Sequence, residues 1–400
     1  MPWRVESFMS QRQDFVEAVA RGQWGMQELC ARFGISRKTG YKWWTRFVHG
    51  GLPALTDHSR RPLTLPTQLT GPVAGLLVRA RQAHPTWGPR KLLAYLAPRH
   101  ATIAAWPVAS TIGALLTREG LVRPRRRRRA PGHPGRPRTL MDAPNVCWSV
   151  DFKGQFRLGT GAYCYPLTVV DGYSRYLLAC RGLASTRTAG VRTTFEHLFQ
   201  TYGLPERIRS DNGAPFATCA LARLSALSVW WLKLGIRPEL IEPGHPEQNG
   251  RHERMHRTLK AEAIRPAAAS PPAQQRRLNA FRQEYNELRP HEALGQVPPA
   301  VHYRPSPRPY HRAPRYVEYP RHFETRLVSA NGGIRWHHQW VNVSHVLAEE
   351  YIGLEETADG VWSVYFGPLL LGRFDERDYR LHGAHNRHRL PRRVSPMSSV

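Results

Sequence analysis

The sequence predicts a multidomain chain: α-helical helix-turn-helix units at the N-terminus, an α/β core in the middle and a small β-barrel near the C-terminus. Three observations predict it. Apolar residues recur at helical spacing up to about residue 122, the pattern turns to strands from residue 145, and short alternating strands return after residue 316. With 400 residues and 41% hydrophobic content, the chain has room for about two to four domains with real cores.

Charge narrows the function classes. Fifty-eight Lys and Arg against 30 Asp and Glu give a net charge of +28, a field that attracts polyanions and predicts strongly salt-dependent binding. Nucleic acid is the leading partner. A membrane is disfavoured, because no run approaches the ~18 apolar residues of a span and the basic runs are not amphipathic. Residues 1–10 carry Arg4 and Glu6 without an apolar core, so no signal peptide is expected and the cytoplasm is the expected compartment. Cys30, Cys147, Cys164, Cys180 and Cys219 are scattered and lack any C-x-x-C spacing. That argues for reduced thiols used as small core residues and against structural zinc.

In chain order, residues 1–60 read as a helix-turn-helix domain. Ser10-Gln11-Arg12-Gln13 forms a capping box before a helix with Phe15, Val16 and Val19 on one face. Met26, Leu29, Cys30 and Phe33 stripe a second helix, Gly34 ends it, and Ser36 caps a third that runs to about Phe47. Trp43, Trp44 and Phe47 are core candidates in that third helix, whereas Arg37, Lys38 and Lys42 lie where a recognition helix enters a major groove. The bland alternative is a three-helix bundle with a solvated basic face. The concentration of charge on the third helix favours DNA reading.

Residues 61–122 read as a second helix-turn-helix or winged-helix unit. Leu76, Leu77 and Ala80, then Leu92, Leu93 and Leu96, then Ile112, Leu115 and Leu116 mark its helices, with Ser110 as the expected cap of the last. Residues 123–144 form an Arg/Pro-rich linker. Its part 123–138 holds eight Arg, four Pro and no acid, so it cannot build a core. Arg125, Arg126, Arg127, Arg128 and Arg129 are expected to track phosphates or strap a minor groove between domains.

Residues 145–304 carry the α/β core. In WSVDFKG the apolar Trp148, Val150 and Phe152 alternate with polar residues, so Asp151 projects from the opposite face. Strands over 163–170 and 176–180 follow, joined by the turn Asp171-Gly172-Tyr173-Ser174. Next come a helix over about 189–202, a strand ending at Asp211-Asn212-Gly213, a long helix around 221–234 and a strand over 237–241. The core closes on residues 241–263, a Pro/Gly-rich loop leading into a helix on which Glu253, Arg257 and Lys260 share one face. Asp171 is a decoy acid assigned to its turn, with Arg175 as its expected partner. Residues 305–315 are a linker, 316–380 the small barrel, of SH3-like type, and 381–400 a basic tail.

Three motifs in order, WSVDFKG, IRSDNGAPF and PGHPEQNGRHERMHRTLK, followed by YNELRPHEAL at 285–294, resemble the catalytic core of bacterial insertion-sequence transposases with a retroviral-integrase-like DDE domain. The similarity extends to the N-terminal helix-turn-helix with its GYKWW and SRRP segments, and so covers most of the chain. The resemblance implies a ribonuclease-H-like fold, with Asp151, Asp211 and Glu253 as the metal-binding catalytic triad. It also implies that Asn212 and Gly213 shape the loop beside the second acid and that Lys260 contacts the DNA end. Expected partners are duplex DNA, as element ends and target, and further copies of the chain on that DNA; the setting is the bacterial nucleoid.

The chemistry suits these residue types. Phosphodiester cleavage and strand transfer need an activated water or 3′-hydroxyl and a stabilised leaving oxygen, which two Mg²⁺ or Mn²⁺ ions about 4 Å apart can serve. Any one acid alone reads as a capping or surface carboxylate, and Asp211 before Asn-Gly especially so. Only the constellation lifts the reading. Two alternatives are a DNA-binding regulator with a degenerate core, against which the intact acids count, and a ribonuclease, which two helix-turn-helix units and an Arg arm suit poorly.

Spacing and context disagree over the third acid. Thirty-five residues separate Asp211 from Glu247, the spacing known in the retroviral relatives, and forty-one separate it from Glu253. Yet Glu247 follows Pro246 in a loop, and a metal ligand must be held to within about 0.5 Å. Glu253 stands on a helix beside Arg257 and Lys260, which would lead DNA to the ions, and the surplus length is expected in the helix around 221–234.

Overall fold

The computed structural model describes residues 8–58, 69, 71–122, 139–242, 250–312 and 316–383. The predicted arm residues Arg125 to Arg129, Glu247 and the tail from residue 384 lie outside the described residues. The chain divides into two units, Met1–Leu69 and Thr70–Val400.

In the first unit, α1 (Phe8–Ala20), α2 (Met26–Arg32) and α3 (Arg37–Gly50) pack around Phe15, Val16, Leu29, Cys30, Trp43 and Leu55. Ser36 caps α3 as expected, its Oγ accepting from the Thr39 backbone N–H at 3.2 Å. Gly40 lets α3 approach α2, since a Cβ there would run into Cys30 Sγ. Trp43 is sealed by Arg12, whose guanidinium stacks 3.9 Å over its ring and also pairs with Asp57 at 2.9 Å.

The second unit opens with α4 (Gly71–Ala83), α5 (Pro89–Leu96) and α6 (Ala109–Arg118). Ser110 is not the cap of α6: the helix starts one residue before it from Val108, and no side chain caps it. The turn between α4 and α5 leaves Pro85 and Thr86 exposed but buries its tryptophan. Trp87 is fully enclosed and stacks on His84 at 3.9 Å.

The central sheet comprises β1 (Cys147–Phe152), β2 (Phe156–Arg157), β3 (Tyr163–Asp171), β4 (Leu177–Leu183), β5 (Arg207–Ser210) and β6 (Arg237–Leu240). Its main order is β4-β3-β1-β5-β6, with β2 on the outer part of β3. β3 runs antiparallel to both β1 and β4, whereas β5 runs parallel to β1 and β6 parallel to β5. This is the ribonuclease-H-like arrangement that the motifs imply.

One face buries Trp148, Val150 and Ile208 against α7 (Thr188–Tyr202) and α8 (Ala226–Lys233), chiefly Phe195, Phe199 and Trp231. The other face packs Val170, Leu177 and Cys180 against α9 (Gly250–Leu259) and α10 (Pro271–Gln283) through Met255, Leu259, Leu278 and Phe281. The long helix expected around 221–234 is short: α8 starts at Ala226 under a Ser225–Ser228 capping box. The preceding stretch holds Ala222 and Arg223 at positive φ, which breaks the helical pattern. Both α9 and α10 widen into single π turns, Lys260–Ile264 and Glu284–Leu288.

Near the C-terminus, β7 (Glu324–Leu327), β10 (Tyr351–Ala358), β11 (Val361–Phe366), β12 (Leu369–Asp375) and β13 (Arg380–Gly383) form an antiparallel sheet ordered β13-β12-β11-β10-β7. β8 (Gly333–Trp336) and β9 (Gln339–Asn342) form a separate hairpin. Among the described residues the ladder does not close into the expected barrel. Val229 and Leu232 of α8 share the core of Val341, Ile352, Leu354 and Phe366, covering apolar surface that a closed barrel would bury within itself.

Candidate active site

Asp151 stands near the end of β1, on the face away from Trp148 and Val150, and its register partner on β3 is Thr168. Asp211 follows directly on β5, the neighbour of β1. Its carboxylate accepts from the Gly213 backbone N–H at 3.2 Å, and a Cβ on Gly213 would press on the same carboxylate. Asn212 pins this corner, donating to Ile241 O at 2.8 Å and accepting from Arg223 at 2.8 Å. Glu253 lies in the first turn of α9, exposed, where a helix N-terminus favours an anion.

Asp151 feels both of the other acids. Burial first, and then the charge of Asp211, push the Asp151 carboxyl up to about 7, and Glu253 acts in the same direction. The Phe152 backbone N–H and Lys153 pull it back only in part. Asp211 is likewise raised by burial, opposed by its bond from Gly213. Carboxylates gathered with too little positive charge are the state that a divalent cation relieves, and their hard oxygens fit Mg²⁺ or Mn²⁺.

The other predicted residues fall as follows. Arg257 and Lys260 are exposed, but Lys260 begins the π turn rather than extending the α-helix. Arg37, Lys38 and Lys42 are exposed on α3, with Lys42 Nζ 4.6 Å over the Trp43 ring. Asp171 is fully buried and takes no part in the site. It accepts from Asn145 N at 2.8 Å and from Ser174 N and Oγ at 2.8 and 2.6 Å, holding the turn before β4. The expected pair with Arg175 is replaced: that guanidinium donates to Gly172 O at 2.9 Å.

Sequence reasoning missed His252, His256 and Thr168. Both histidines point from α9 onto β3, and each Nε2 lies 2.7 Å from Thr168 Oγ1. Burial pushes both imidazoles down, His252 to about 3 and His256 to about 2, which disfavours the charged form. The signal was present as His252-Glu253-x-x-His256, two histidines one helical turn apart.

Known proteins share the domains that carry these residues. Residues 141–246 and 234–299 match integrase core domains, 11–62 a helix-turn-helix domain and 39–116 a homeodomain-like domain. The insertion element IS476 39.2 kDa protein of Xanthomonas euvesicatoria is 29% identical over 252 residues, 62% of this chain and 69% of that protein. The insertion element IS407 31.7 kDa protein of Burkholderia multivorans is 30% identical over 165 residues, 40% of this chain and 56% of that protein. The chain thus carries an integrase core together with helix-turn-helix segments and is similar over part of its length to these insertion-element proteins. The integrase core also resembles, at 16% identity and a TM-score of 0.33, the HTLV-2 integrase catalytic core domain solved in complex with magnesium, covering 41% of this chain and 100% of that one. No described helix is long and apolar enough to cross a membrane.

Proposed function

We propose that this protein is a DNA transposase that binds the terminal repeats of its own element and catalyses metal-dependent strand cleavage and strand transfer. The carrying observation is an integrase core in which Asp151, near the end of β1, feels the charge of Asp211, just after β5, and to a lesser degree that of Glu253 on α9. Asp151, Asp211 and Glu253 would hold two divalent ions, which supply activation of the attacking hydroxyl and charge stabilisation of the leaving oxygen. Gly213 and Asn212 orient Asp211 through the bonds described above. Lys153 presents positive charge beside Asp151, and the exposed Arg257 and Lys260, further along the same helical segment as Glu253, are assigned to the phosphate backbone. No side chain here needs to act as a nucleophile. Incubating the protein with DNA carrying the flanking ends and Mg²⁺ should give cuts at the element boundary. Binding without nicking would favour a regulator instead, and cleavage confined to RNA–DNA hybrids a ribonuclease.

The third acid has its own test. Glu253→Gln should abolish end cleavage while Glu247→Gln leaves it near wild type, with both variants still binding ends. The reverse pattern would move the ligand into the loop.

Recognition is assigned to α3, and several copies of the chain are expected to assemble on paired ends. Replacing Arg37, Lys38 and Lys42 with Ala should weaken specific end binding by about 1 to 3 kcal/mol for each base no longer read, leaving the fold intact. Unchanged affinity in a filter or anisotropy assay would remove α3 from recognition. Neutralising Arg125 to Arg129 should act differently, flattening the dependence of log K on log salt by about 0.9 for each phosphate no longer neutralised. An unchanged slope would mean that the arm serves only as a linker.

A further inference from the structure

We propose that Asp151, His252 and His256 form a second kind of cation site, selective for a borderline transition ion of the Zn²⁺ class over Mg²⁺. It shares Asp151 with the acid cluster and so rests partly on the same residue, but its histidine ligands play no part in the function proposed above.

The argument starts from one hydroxyl. Thr168 Oγ1 has three polar neighbours, Asp151 O at 3.0 Å and the two Nε2 atoms at 2.7 Å each. A hydroxyl has one proton and two lone pairs. The carbonyl can only accept, so the Thr168 proton goes to Asp151 O and both Nε2 atoms donate to the oxygen. With Nε2 donating, Nδ1 is the one ring nitrogen left on each imidazole to ligate a cation.

At His252 that nitrogen meets no protein hydrogen among the described residues. His252 is 2% exposed, and its Nδ1 has no hydrogen-bond partner among the described residues, which is costly for a buried acceptor. His256 Nδ1 faces Asp151 Oδ2 at 3.8 Å, beyond hydrogen-bond reach. One ligand atom from each of Asp151, His252 and His256 lies within 4.8 Å of the other two. Atoms bound at about 2.1 Å to one ion stand roughly 3 to 4 Å apart, so a small closure completes the set.

The donor set decides the class of ion. Two imidazole nitrogens and a carboxylate suit Zn²⁺, Co²⁺ or Cu²⁺, whereas Mg²⁺ prefers oxygen and retains its waters. Thr168 supplies the outer hydrogen bonds that fix ring orientation at such sites. The sequence His252-Glu253-x-x-His256 on a helix is the ligand spacing of zinc peptidases, in which the glutamate works as a base. Here Glu253 is exposed while the histidines are buried beneath it, so the geometry supports the ligand pair without the peptidase chemistry.

The test uses Co²⁺ as a spectroscopic probe on the metal-free full chain. Titration should produce a visible ligand-field band characteristic of nitrogen ligation, saturating at one ion per chain. His256→Gln should weaken this binding by about a hundredfold, and Thr168→Val by about 10- to 100-fold. The Asp211→Asn, Glu253→Gln double variant should keep the band. Absence of a nitrogen-ligated band in the wild type would overturn the proposal without any variant having to fold. A band that survives His256→Gln but disappears in the double acid variant would place the ion at the acids alone and also overturn it. End cleavage by the double acid variant would instead refute Asp211 and Glu253 as the catalytic acids while leaving the cobalt result standing.

Discussion

Asp151→Asn should abolish end cleavage and, in the same protein, raise the melting temperature of the metal-free chain. The first effect follows from losing one arm of the metal site, worth several kcal/mol of charge stabilisation or about a thousandfold or more in rate. The second follows from the raised carboxyl. In the unfolded chain Asp151 loses its proton near 3.8, whereas in the fold it holds it to about 7. Between those values the folded state binds more protons, so the metal-free protein loses stability as pH rises from about 4 to 7, and the deficit is complete above 7. Asp211, also raised by burial, adds in the same direction. Asn carries no charge to disfavour. The gain at pH 8 should be of the order of a few kcal/mol, about 5 °C in melting temperature, and should vanish near pH 4. Mg²⁺ should stabilise the wild type more at pH 8 than at pH 5, because it competes with the proton. Calorimetry across pH checks all three; a variant that melts below wild type at pH 8 would show that the acid is not strained there.

Arg289→Ala should destabilise the second unit by about 3 to 5 kcal/mol, the cost of stranding a buried charge. Arg289 Nη1 pairs with Glu262 Oε1 at 2.6 Å, with side-chain exposures of 8% and 19%, and its two Nη atoms reach Thr86 Oγ1 at 3.4 and 3.3 Å. Around it, His84 Nδ1 meets Glu284 Oε1 at 2.8 Å and Lys91 Nζ donates to Pro290 O. These contacts fasten the α4–α5 turn to the two π turns of the core. The motif YNELRPHEAL is therefore, in part, a socket for the helical segment before the core. Glu262→Gln combined with Arg289→Ala should recover much of the loss, since neither charge is then left alone. A single Arg289→Ala change within about 0.5 kcal/mol of wild type in urea melts would mean that the pair contributes nothing net.

Much of this protein was legible from its residues. The alternation in WSVDFKG placed Asp151 opposite Trp148 and Val150, because a strand has a period of two whatever it pairs with. Ser36 and Gly34 marked the boundaries of α3 and α2 through capping chemistry that is local by nature. The order of strands and helices, read with the motifs, predicted the central sheet. Local rules failed where a tertiary contact overrode them. Leu221 to Leu234 carries helical spacing, yet Ala222 turns to positive φ and the helix begins only at Ala226. The C-terminal strands alternate as barrel strands do, but α8 supplies the surface they cover.

The sequence by itself pointed to an integrase core behind helix-turn-helix DNA-binding segments and nominated three acids, because each acid sits in a motif whose pattern is local. Only the tertiary structure decided what surrounds them. The register sets Thr168 opposite Asp151, and the packing of α9 turns His252 and His256, 84 and 88 positions further along the chain, onto that threonine. Hydrogen-bond direction, and with it the lone pairs the imidazoles present, depends on which groups converge on one hydroxyl. Separation along the chain carries no information about that convergence.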